Sequence, residues 1–338
     1  MIAASDNLHT VPLSLRLDPW TPTYESAVQL EEDEGASPAD VDAFVETEDW
    51  RPRLPEFVER PERIAFIDGV QRVEMRLIGD DGPTPARPGE GRMVYGALAS
   101  VGVGASFVGE GDCSLQMNAP LRVLALSDGA SHESISVECG NSTLEFRPQN
   151  TGETGLMAVH QAVNDARSRE EVRLGEQLDQ AGVEMVVVDG RLNWQPSRGA
   201  MVIGLVKTIH KRYLDSPQAD VLSKLAPKTR TPIFRIGGKH SVYSWYLRLT
   251  KSRHMDYPWS GLIRLETLDS IPLEAAVRLA DLTACHLPAF ASSPAHDPRA
   301  PQNLYPIGGL EEQLRHSLGD HEWIRRHIEM HFAREWAA

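Results

Sequence analysis

The sequence predicts a mixed α/β fold, a sheet with helices packed on its faces. Three observations predict it. Strand-like runs crowd residues 61–150, a long helical stripe follows at 154–181, and strands then alternate with helices to the end of the 338 residues.

Residues 1–60 read as an acidic N-terminal arm, apart from a body at 61–338. The arm holds 14 acidic and 4 basic side chains. Its segments EEDEGASPAD and WRPRLPEFVERPER have little periodicity, which suits a mobile or surface-wrapping arm or an acidic docking segment. IAFIDGV is a short apolar run closed by Asp-Gly, and VEMRLIGDD alternates before a turn. MVYGALASVGVGASFVGEG, LRVLALSDG, ESISVEC and STLEFRP complete a β-rich N-terminal half.

Val159, Ala162, Val163, Ala166, Leu174 and Leu178 recur at helical spacing, with Gly182 as the stop. VEMVVVDG (183–190) is a continuous apolar run of the kind that forms a strand buried on both faces. A second helix is expected within 198–214, then strands at TPIFRIG, VYSWYLRL and SGLIRLE. Helices at 273–285 and 308–337, the latter broken near Gly319–Asp320, end the chain. On the SGLIRLE strand, Arg264 and Glu266 alternate as an expected outward ion pair.

Composition excludes several classes. Hydrophobic residues at 41% and charged residues at 24% are globular values, and no apolar run reaches the ~18 residues of a membrane span. Three scattered cysteines exclude a disulfide scaffold and a Cys-type zinc site; with no secretory signal pattern, a cytoplasmic location is expected. No HExxH pair, G-x-S-x-G elbow or Walker lysine occurs. The net charge of −14 is unevenly spread: residues 198–253 carry 12 Lys/Arg against Asp215 and Asp220. That basic stretch is a candidate phosphate-binding surface, with Trp245 and Tyr246 interleaved as candidate stacking rings, one of them expected in the core.

Two segments share a form: IAFIDG and MVVVDG each end an apolar strand on an aspartate before a glycine. An aspartate there leaves the hydrophobic layer at the rim of the sheet, where ligands of open α/β folds collect. Asp-Gly is also simply a good turn. Glu170 and Glu171 lie near the apolar stripe of the preceding helix, with Arg167 and Arg169 near enough to neutralise them. Convergence of Asp68, Asp189 and one glutamate would give an all-oxygen pocket suited to Mg²⁺ or Mn²⁺. Two such ions about 3.5–4 Å apart support phosphodiester cleavage.

FIDGVQRVEMRL, a glutamate-bearing helix, VVVDGRLN, GLVK and the C-terminal DPRAPQNLYPIGGLEEQLRH together resemble the NurA nuclease domain. The resemblance spans roughly 61–335 and rests on the ordered set of motifs. It implies an RNase H-like fold and a manganese-dependent DNA nuclease that is homodimeric and works with a HerA-type hexameric ATPase. Residue by residue, it implies catalytic Asp68, Glu171, Asp189 and Tyr305, with Glu170 as the alternative metal ligand. The family's C-terminal histidine has no clean counterpart; Gln313 stands near the matched offset and His316 one turn later, and His316 is taken as the candidate. Lys207 of GLVK is assigned to a DNA phosphate, with Lys211, Arg212, Arg235, Arg248 and Arg299 as further DNA contacts. A catalytically inactive module that binds nucleic acid or docks on the ATPase is the alternative. An actin-like sugar kinase, which also places Asp-Gly after strands, lacks the small or hydroxyl residue it needs after Asp68, since Gly69, Val70 and Gln71 follow.

Overall fold

The computed structural model describes residues 14–17, 40–80, 92–207, 213–238, 240–251, 260–293 and 301–337. It is a mixed α/β structure on one large sheet. In chain order the strands are β1 (Ser14–Leu17), β2 (Val41–Asp42), β3 (Ile64–Asp80), β4 (Met93–Val108), β5 (Cys113–Met117), β6 (Leu121–Leu126), β7 (Ile135–Cys139), β8 (Ser142–Asn150), β9 (Met185–Asp189), β10 (Met201–Val206), β11 (Phe234–Ile236), β12 (Val242–Arg248) and β13 (Leu262–Leu268). The helices are α1 (Gly155–Gln180), α2 (Asp220–Lys224), α3 (Leu273–His286), α4 (Tyr305–Ser317) and α5 (His321–Ala337). Sheet order is β2-β11-β12-β13-β10-β9-β3-β4-β6-β8-β7, with β1 also on β3 and β5 on β4. β9 runs parallel to both β3 and β10, whereas β4 is antiparallel to β3.

Alternation along the central strands sorts side chains onto two covered faces. Ala65, Ile67, Val186, Val188 and Val202 pack against the stripe of α1, including Val163, Ala166 and Leu174. On the other face, Ile64, Phe66, Met185, Val187, Ile203 and Leu205 meet Ala276, Leu279 and Ala280 of α3 and Ile307 of α4. Each fully buried side chain of this size contributes roughly 1.5–3 kcal/mol. This double coverage explains why Ile64–Ile67, Met185–Val188 and Met201–Val206 are apolar runs.

Several sequence expectations change. β3 does not turn at Asp68–Gly69; it runs on to Asp80, because β4 pairs with it along its whole length. The helix expected within 198–214 is instead strand β10 over Met201–Val206, whose side chains are needed on both faces between β9 and β13; residues 208–212 lie outside the described residues. Trp245 and Tyr246 are both buried, since β12 is an interior strand. Trp245 donates to Thr283 Oγ1 at 3.1 Å, and Tyr246 stacks on Phe234 at 5.7 Å. Arg264 and Glu266 do pair, but in the interior rather than outward. Residues 40–60 lie along the body: β2 extends the sheet edge, and Glu46 meets Arg230, which also holds Asp281, in a buried cluster.

Two polar clusters fasten the helices. A bulge in β3 between Val73 and Met75 leaves Glu74 as an extra residue, fully buried. Its carboxylate accepts from Arg72 at 2.8 Å and contacts His321 Nδ1 at 2.8 Å. Arg72 and Arg122 in turn donate to Gly319 O and Leu318 O, which docks the α4–α5 junction on the sheet. Near the end of α1, Asp179 accepts from the backbone N–H of Ser197, Arg198 and Ala200 and from the Ser197 hydroxyl.

Burial pushes the Asp179 carboxyl upward, but those donors outweigh it and hold the group below the usual carboxylate range. Its stabilisation is therefore fully present above the unfolded value near 4 and is lost as pH falls through the lower folded value. Asp179→Asn is expected to lower stability by about 1–3 kcal/mol at pH 7 and to flatten the acid limb of the pH–stability curve. Urea unfolding of both proteins at pH 3 to 7 measures this.

Candidate active site

The candidate site forms where β9 ends beside β3. The parallel register pairs Ile67 with Val188, so Asp68 and Asp189 follow as neighbours on one face. Beyond that point β3 continues while β9 stops, and among the described residues the β3 edge next pairs only with β1, from Leu77 onward. Asp189 closes its strand by a true turn: Gly190 has φ +109°, and its N–H donates to Leu205 O at 2.8 Å. Leu192 N then donates to the buried Glu266 carboxylate at 2.7 Å. Gly204 makes that route possible, because a Cβ there would stand 2.9 Å from both Glu266 Cγ and Gly190 O. The pattern of alternation that marks Glu266 as one half of an ion pair carries no sign of this second role.

The glutamate comes from α1, on the opposite face. Glu171 is buried, and its Oε1 lies over Gly69, where a Cβ would stand only 2.4 Å away. Gly69 is thus required by close approach rather than by a turn. Glu170, by contrast, is partly exposed and faces Arg173 at 3.9 Å. One helical step separates these two glutamates, and only the packing angle of α1 decides between them.

Asp68 is 5% exposed, and its one hydrogen bond comes from the N–H of its neighbour Gly69 at 2.8 Å. Burial, then the negative charges of Asp189, Glu171 and Glu311, raise its carboxyl well above the usual range against the opposing pull of Lys207. Burial likewise pushes Glu171 up to about 7; Arg167 pulls it down and Asp189 pushes it up. Two cations sit on the other carboxylates. Lys207 Nζ donates to Asp189 Oδ2 at 2.6 Å, and Arg167 donates to Glu171 Oε1 at 2.6 Å. Lys207 stands two residues past Leu205, the β10 partner of Asp189, so alternation puts both on one face.

The remaining expected residues divide. Tyr305 is half-exposed at the start of α4. His316 is exposed; at about 100° per residue it projects from the side of α4 opposite the buried Ile307, Leu310 and Leu314. Gln313 is also exposed. Arg248 is corrected from a DNA contact to an interior residue, because it is buried and donates to Leu222 O and Ser260 O. Arg235 pairs with Asp269 at 2.7 Å. Lys211, Arg212 and Arg299 lie outside the described residues. Glu311 is the acidic neighbour that sequence reasoning missed; its signal was its place next to Leu310 on the apolar stripe of α4.

Among the described residues, no group of three His, Cys, Asp or Glu side chains stands ready to hold a metal ion. The donor set is nevertheless chemically suited to a hard divalent cation: all carboxylate oxygen, with Asp68 buried and lacking a cationic partner in contact. None of the described helices is long and apolar enough to cross a membrane.

No protein-family model matches the chain, and no curated protein matches it. Solved structures similar to it include the NurA nuclease from Sulfolobus solfataricus, at 11% identity and a TM-score of 0.42, over 78% of this chain and 81% of that one. Another is Ciona intestinalis endonuclease V in complex with a 23mer DNA containing an inosine followed by a ribo-adenosine. It has 11% identity and a TM-score of 0.30, over 76% of this chain and 86% of that one.

A buried carboxyl whose pKa is raised on folding adds stability at low pH that is lost as pH rises through the folded value. For Glu171 that window runs from about 4.5 to about 7. Glu171→Gln is therefore expected to stabilise the metal-free protein at pH 8, by on the order of 1–3 kcal/mol, and to have no such effect at pH 4. Thermal unfolding in chelator at both pH values checks it; equal shifts at the two pH values would contradict the assignment.

Proposed function

We propose that this chain is a divalent-metal-dependent DNA nuclease built on an RNase H-like sheet. The observation that carries the reading is that Asp68 and Asp189 follow as neighbours where β9 leaves β3, with Glu171 over Gly69 and Lys207 on Asp189. The strand order β6-β4-β3-β9-β10, with β4 antiparallel to β3 and with β9 and β10 parallel to it, supports the RNase H-like architecture.

A divalent cation held by these carboxylates supplies the Lewis-acid chemistry of phosphodiester hydrolysis. Asp68 presents a preformed buried ligand, fixed by the Gly69 N–H. Asp189 and Glu171 would be the other ligands, and Lys207 and Arg167, which donate to them here, would be the cations placed to neutralise a DNA phosphate. The glycine at 69 keeps the passage for Glu171 open. Exonuclease and endonuclease action at DNA ends, in repair or defence, follows from the NurA resemblance, as do Mn²⁺ as the preferred ion, the HerA-type ATPase partner and a homodimeric state.

A second reading, a nucleic-acid-binding or ATPase-docking module without catalysis, is favoured by one observation: two carboxylates are already neutralised, and His316 points away from them. Cleavage of labelled single- and double-stranded DNA with Mn²⁺ or Mg²⁺ separates the two. The wild type is expected to cut, and Asp189→Asn to lower the rate at least about 100-fold, on the order of 2.7 kcal/mol or more in the barrier. Wild type that binds DNA but leaves it intact, or a variant that cuts as well as wild type, overturns the catalytic reading.

A further inference from the structure

Past Asp68, the face of β3 that turns toward α1 opens to solvent. Ala65 and Ile67 are fully buried there, whereas Gly69 and Val73 are only half-buried and Gln71 is exposed. The strand edge opens over the same stretch. Among the described residues, β3 from Gly69 to Arg76 has no strand beside it opposite β4, because β9 stops at Asp189 and β1 begins to pair at Leu77. At about 3.3 Å per residue this uncovered edge is roughly 23 Å long.

A flank of α1 overhangs it. α1 leads into β9, which starts at Met185 opposite Ile64, so the helix runs against the direction of β3. Glu171 and Arg167 both reach Gly69. With about 1.5 Å per residue in the helix against about 3.3 Å in the strand, Gln71 stands near the level of Asn164. Asn164, Arg167 and Glu171 share one flank by their spacing of three and four residues, and Met157, seven residues earlier, continues it. Arg167 is held along that flank from both directions, donating to Glu171 Oε1 at 2.6 Å and to Asn164 Oδ1 at 2.9 Å. Met157 is 57% exposed.

The chemistry of this corner suits a nucleic-acid strand. Arg167 offers charge to a phosphate, and Met157 offers an apolar surface to a base. Gln71 and the amide nitrogen of Asn164 have no partner among the described residues, which leaves them to bond base or sugar. A strand laid here has protein on two sides, α1 over it and β3 beside it, so no complementary strand can wind around it. The corner also runs directly into the carboxylates, since Asp68 precedes Gly69 and Glu171 ends the polar flank.

We infer that the corner between the uncovered edge of β3 and the flank of α1 is a subsite for unpaired nucleotides next to the scissile phosphate, with Gln71 and Asn164 as its hydrogen-bonding residues. The inference rests on the nuclease reading above and deepens it by naming where the strand lies.

The test is binding of fluorescein-labelled oligodeoxythymidylate to the full chain, followed by anisotropy in chelator and again with Ca²⁺, beside a blunt duplex of equal length. Gln71→Glu sets a negative charge in the corner and is expected to weaken single-strand binding about tenfold or more, and Asn164→Ala about three- to tenfold. Gln313→Ala, on α4 across the sheet, changes it less than about twofold. Duplex binding is expected to change less than about twofold in all three. Because Gln71 is exposed, Gln71→Glu is expected to unfold at the wild-type temperature. Undiminished single-strand affinity in Gln71→Glu overturns the inference, as does an equal loss for single strand and duplex. If wild type cuts DNA, Asp189→Asn does not, and Gln71→Glu binds and cuts as wild type does, only the subsite falls. If wild type binds neither form of DNA under either condition, the nuclease reading falls with it.

Discussion

Repulsion among three carboxylates, two of them buried, is the constraint on which the site depends. Asp68 and Glu171 are buried near the charge of Asp189, and burial and like charge both favour their protonated forms. A fold that needed only stability would place apolar side chains there, as it does one step earlier at Ile67 and Val188. Lys207 and Arg167 offset part of the cost, but neither is in contact with Asp68.

The rest of the molecule can be understood as the support for that arrangement. A strand of seventeen residues, β3, runs past the end of β9, and just there the Glu171 side chain of α1 lies over Gly69. Three glycines make the close approaches possible: Gly69 under Glu171, Gly104 against Gln116 O of β5 as well as α4, and Gly204 under Glu266. Each would put a Cβ within about 3 Å of a neighbour, so the need is steric in every case. The buried ion pair of Arg264 and Glu266 has a related use, since Glu266 holds the turn that follows Asp189. The Glu74 bulge in the middle of β3 does the same for the α4–α5 junction.

Charge in the basic stretch 198–253 proves to be divided by depth. Arg230 and Arg248 are interior residues that satisfy carboxylates or backbone carbonyls, and Arg235 is tied to Asp269. Lys207 alone among its described cations touches the carboxylate cluster. A run of Lys and Arg in sequence therefore overstated the surface available to phosphate, because sequence density carries no information about which side chains the neighbouring strands will cover.

What the chain determines locally was legible: α1, α3 and the split between α4 and α5, most of the strands, and two aspartates ending apolar runs. These follow from periodicity and from Gly, Pro and Asp-Gly punctuation, which act over a few residues. Tertiary structure decided the rest. The short run Met201–Val206 became a strand because two neighbours needed it, and Asp68–Gly69 stayed extended because β4 pairs with it throughout. The burial of Glu171 rather than Glu170 over Gly69 and the turning away of His316 both depend on how helices rotate against the sheet. That rotation is set by ridge-and-groove packing between distant segments, which no local pattern encodes.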